Sequence, residues 1–84
     1  MALKTIEEEW RGFWGMVAPA DPSPVQVEEC RRAFYAGACA MLAGMREIGE
    51  PHISEQQGEA WYRDRQRELD DWYRDLITTH ARRN

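Results

Sequence analysis

Long apolar runs are missing from this 84-residue sequence: no stretch of about eighteen such residues occurs anywhere in it, which removes the raw material for a membrane-spanning helix. The stretch Met1–Glu9 has no apolar core of signal-peptide type, so a cytoplasmic location without membrane contact is expected. Cysteine is scarce. Cys30 and Cys39 lie nine residues apart, about half a turn around a shared helix, so they cannot bond to each other, and free thiols fit a reducing compartment. There is no glycine-rich phosphate loop, no Cys-x-x-Cys pair and no His-Glu-x-x-His. These absences leave no cofactor motif and no metal motif. With only His52 and His80 as histidines, they also point away from catalysis.

Positive charge is in deficit as well. The net charge of −4 argues against nonspecific nucleic-acid binding, which needs a basic surface for phosphates. Ten of the eleven cations are Arg and only Lys4 is Lys. That bias matters because the guanidinium fork binds carboxylates and phosphates bidentately and stacks on aromatic rings.

What is present is helix. Three residues of N-cap type are each followed three positions later by Glu or Gln: Thr5 with Glu8, Ser23 with Gln26, and Ser54 with Gln57. Pro24 suits a first helical position. Pro19, Asp21 and Pro22 stop one helix, and Gly49 with Pro51 stops the next. The expectation is an all-α three-helix bundle in one domain spanning 1–84, with helices at about 5–17, 24–49 and 54–81.

Each expected helix is amphipathic. The first places Ile6, Trp10, Phe13, Trp14 and Val17 on one face, with Glu7, Glu8 and Arg11 away from it; the acids of the first turn complement the helix dipole. On the second, Val27, Cys30, Phe34, Ala38, Met41, Leu42, Met45 and Ile48 share a broad arc. Its back carries Ala33, Ala36, Ala40, Ala43 and Gly44, a surface that another helix can approach closely, so this helix is expected at the centre, packed on both sides or against a second subunit. The third holds a repeat, Trp61-Tyr62-Arg63-Asp64 and Trp72-Tyr73-Arg74-Asp75, offset by eleven residues or about three turns. Its apolar arc comprises Trp61, Leu69, Trp72, Tyr73, Leu76 and Ile77, and charges of both signs cover the rest.

A chain this short buries little of its surface, yet it holds four Trp, three Tyr and two Phe, so part of that aromatic load belongs at an interface and a homo-oligomer is expected. Two arginines break the amphipathic pattern. Arg65 lies between Trp61 and Leu69, and Arg31 lies beside Phe34 and Tyr35. Each needs an anionic partner or a path to water. One reading is an internal ion pair, with Glu9 as a candidate partner at the edge of the first helix's arc, or a stem that reaches out to solvent. The other is a ligand site in which Arg31, Arg32 and Arg65 hold an anion and Tyr35, Trp61, Tyr62 or Trp72 stack on a flat ring, the chemistry that recognises a nucleotide. Arg, Trp and Tyr are also the residues of protein-interface hot spots.

The block Arg31-Arg32-Ala33-Phe34-Tyr35-Ala36-Gly37-Ala38, followed by Ser54-Glu55 and Gly58, resembles small proteins encoded by tailed phages and prophages of Gram-negative bacteria, over roughly Trp10 to Leu76. The resemblance implies a context more than an activity: small accessory phage proteins often antagonise host defence. They do so as oligomeric sponges that trap nucleotide immune signals, or by covering a defence protein, here through the acidic surface of Glu7, Glu8, Asp64, Asp70, Asp71 and Asp75. A structural or regulatory helical dimer without a ligand is the third reading.

Overall fold

The computed structural model describes residues 3–83, and the side chains of residues 3–79. Among the described residues the chain is all-α, with three helices: α1 Ile6–Val17, α2 Pro24–Ile48 and α3 Glu55–Arg83. The observed bounds lie within two residues of those expected from capping residues and breakers.

The caps explain where the helices begin. At α1 the Thr5 hydroxyl accepts from the Glu8 N–H at 3.1 Å, and the Glu8 carboxylate accepts from the Thr5 N–H at 3.1 Å. The backbone hydrogen bond from Thr5 is also the main cause that holds the Glu8 carboxyl below its ordinary range. Ser54 and Gln57 form the same reciprocal pair at the start of α3, at 2.8 and 3.1 Å. At α2 the Ser23 hydroxyl accepts from Gln26 N–H at 3.0 Å. Each bond satisfies a donor that the first helical turn leaves without a partner.

Gly49 ends α2, but not through the left-handed backbone that glycine makes available at such positions: no described residue has a positive φ. The terminus tightens instead, with Gly49 N–H donating to Arg46 C=O and Glu50 N–H to Glu47 C=O, three residues back in each case. Pro51 cannot donate a backbone hydrogen bond, and it disfavours the helical region for Glu50.

The chain forms two compact units that divide α2 near its end, one up to Gly44 and one from Met45 onward. In the first, α1 and α2 run antiparallel through an aromatic cluster. Trp10 stacks on Trp14 at 5.4 Å and meets Phe34 edge-on at 5.6 Å, while Phe13 stacks on Phe34 at 5.3 Å. Trp10 is the buried hydrophobic residue of this cluster, at 5% exposure. At about 25 cal/mol per Å² and roughly 200 Å² for a buried aromatic, it contributes on the order of 5 kcal/mol, a large share of what a small domain has.

The apolar faces read from the sequence are only partly covered. On α1, Trp14 is half-buried, while Ile6, Phe13 and Val17 stay exposed. No residue of α2 is fully buried, and its Ala33, Ala36, Ala40 and Ala43 are exposed in the single chain. In the second unit, Ile48 lies over Gly58, where a Cβ on residue 58 would meet Ile48 Cβ at 3.6 Å, and Ile53, Ala60, Trp61 and Arg65 are half-buried.

Candidate functional site

The most organised polar group in the first unit is built on Glu7. Placed one turn before Trp10, its side chain leans over the edge of the aromatic cluster toward α2, where Arg31 and Tyr35, four residues apart, share a face. Arg31 grips the carboxylate with both arms of its fork: Nη1 donates to Oε1 at 3.0 Å, and Nη2 lies 2.6 Å from Oε2. The Tyr35 hydroxyl donates to Oε2 at 2.7 Å, and Arg11 Nε donates to Oε1 at 3.3 Å. The Arg31 guanidinium also sits over the Tyr35 ring, 4.9 Å from its centre.

This network overturns two expectations. The first-turn acid Glu7 does not point away from the packed face, and the partner of Arg31 is Glu7, not Glu9, which is exposed. The reason is rotational: Glu7 flanks the stripe that carries Trp10, on the side facing Arg31 and Tyr35. The electrostatic result is large. Hydrogen bonds from Arg31, and next from Tyr35, pull the Glu7 carboxyl from its ordinary 4.5 to about 2. Reciprocally, the Glu7 hydrogen bond raises the Arg31 guanidinium, and it is the main cause that raises the Tyr35 phenol, with desolvation adding to it.

Of the seven residues proposed from the sequence as a ligand site, Arg31, Arg32 and Tyr35 come together with Glu28 around an open hollow of about 220 Å³. That is below the roughly 300 Å³ at which small-molecule pockets begin. Its charge is also spent. Arg32 reaches Glu28 at 3.7 Å and Glu29 at 3.5 Å, and Arg11 and Arg31 meet on Glu7, so three guanidiniums face three carboxylates. No positive surplus is left there for an anion.

Trp61, Tyr62, Arg65 and Trp72 belong to the second unit. Arg65 lies over the Trp61 ring at 5.8 Å, and its Nε is 2.8 Å from Glu68 Oε1 in an ion contact that lacks hydrogen-bond geometry. Tyr62 lines a shallow hollow of about 510 Å³ with Ile48, Gly58 and Arg63, and Trp72 is 62% exposed. Trp72 stands in a stripe with Leu69, Tyr73, Leu76 and Ile77, all of them exposed.

Among the described residues, no three His, Cys, Asp or Glu side chains could hold a metal ion. Cys30 and Cys39 are free thiols, as their spacing requires. His80 lies outside the described side chains. Among the described residues, no helix is long and apolar enough to cross a membrane.

Fold and surface together define an all-α chain with a small aromatic core, an ion-paired helix clamp and an uncovered apolar stripe. In comparison with known proteins, no family model, curated sequence or solved structure matches this chain.

Proposed function

We propose that this chain is a non-enzymatic helical interaction protein, one that works as a homo-oligomer through protein contact and does not trap a small ligand. The observation that carries the reading is the stripe on α3: Leu69, Trp72, Tyr73, Leu76 and Ile77 stand between 44% and 62% exposed on the final helix. Contiguous apolar surface of this kind marks contact sites in soluble proteins, and Trp and Tyr are the side chains that dominate such contacts. In the phage setting that the Arg-Arg-x-Phe-Tyr-x-Gly-Ala block implies, such a protein would act as a small accessory factor that covers a host defence protein.

The nucleotide-sequestering reading has one observation in its favour, the hollow beside Arg31, Arg32 and Tyr35. Against it, a nucleotide phosphate would have to displace Glu7 from a bidentate, charge-assisted pairing with Arg31.

Native mass spectrometry of the purified chain, alone and with a panel of cyclic nucleotides and ADP-ribose derivatives, reads subunit count and bound mass together. The expected result is a dimer or larger species with no added nucleotide mass. Any species, monomer or oligomer, that retains a nucleotide mass would overturn the reading and return Arg31, Arg32 and Arg65 to the role of ligand contacts.

A further inference from the structure

We draw no further inference here: the strongest candidate, the exposed apolar stripe of Leu69, Trp72, Tyr73, Leu76 and Ile77 on α3, carries nothing beyond the contact surface already proposed, because nothing in the structure shows what covers it.

Discussion

Glu7 accepts hydrogen bonds from Arg11, Arg31 and Tyr35 on one carboxylate, and its titration is the point at which acid reaches the α1–α2 contact. Its folded pKa of about 2 lies below the ordinary 4.5, so the unfolded chain binds this proton more readily. Its contribution to stability is therefore present above pH 4.5 and is lost as pH falls from about 4.5 toward 2. Glu7→Gln, which keeps the shape and removes the charge, should lower the melting temperature at pH 7 by a few degrees and flatten the acid limb of the stability profile. Thermal melts of both proteins between pH 2 and 7 check this, and parallel acid limbs would remove Glu7 from the role. Glu7 was hidden from sequence reading because a first-turn acid has a sufficient local reason in the helix dipole. The signal that could have exposed it lies on the other helix: an arginine and a tyrosine four residues apart beside an aromatic face require an acceptor opposite.

At the scale of the element, start and stop residues proved the most informative part of the sequence. Capping is local chemistry, a side chain bonding to a backbone group three residues away, so Thr5 and Ser54 mark their helices whatever the chain does elsewhere. The end of α2 was legible only in position. Gly49 offered a left-handed turn that the chain does not take, because Pro51 already stops the helix and the last carbonyls find donors three residues on. Gly37, in the middle of α2, has nothing within 4 Å of where a Cβ would stand. Gly37→Ala should then stabilise the chain by about 0.5–1 kcal/mol, through a less flexible unfolded state and better helix propensity. Urea denaturation measures it, and a loss of stability would mean that another surface approaches α2 at Gly37.

For the whole molecule the decisive fact is how little α3 covers its own apolar residues. If folding and self-association are linked through that stripe, mass action stabilises the folded chain as concentration rises. The melting temperature should increase by a few degrees over a hundredfold increase in concentration, whereas Trp72→Glu with Leu76→Glu should melt at one temperature throughout. Scanning calorimetry at several concentrations distinguishes the two.

Periodicity and capping were sufficient in the sequence to determine three amphipathic helices and their bounds, because both depend on neighbours within a turn. The candidate site was legible only in its cast. Arg31, Arg32 and Tyr35 were named as neighbours, with an internal ion pair and an anion site both open to them, since a guanidinium serves a carboxylate and a phosphate with the same geometry. Only the tertiary structure brings Glu7 across from α1 to pair with Arg31 and leaves Trp72 and its stripe exposed. Those outcomes depend on residues more than twenty positions apart and on which faces meet, and the spacing of one helix's residues does not encode the partner it finds.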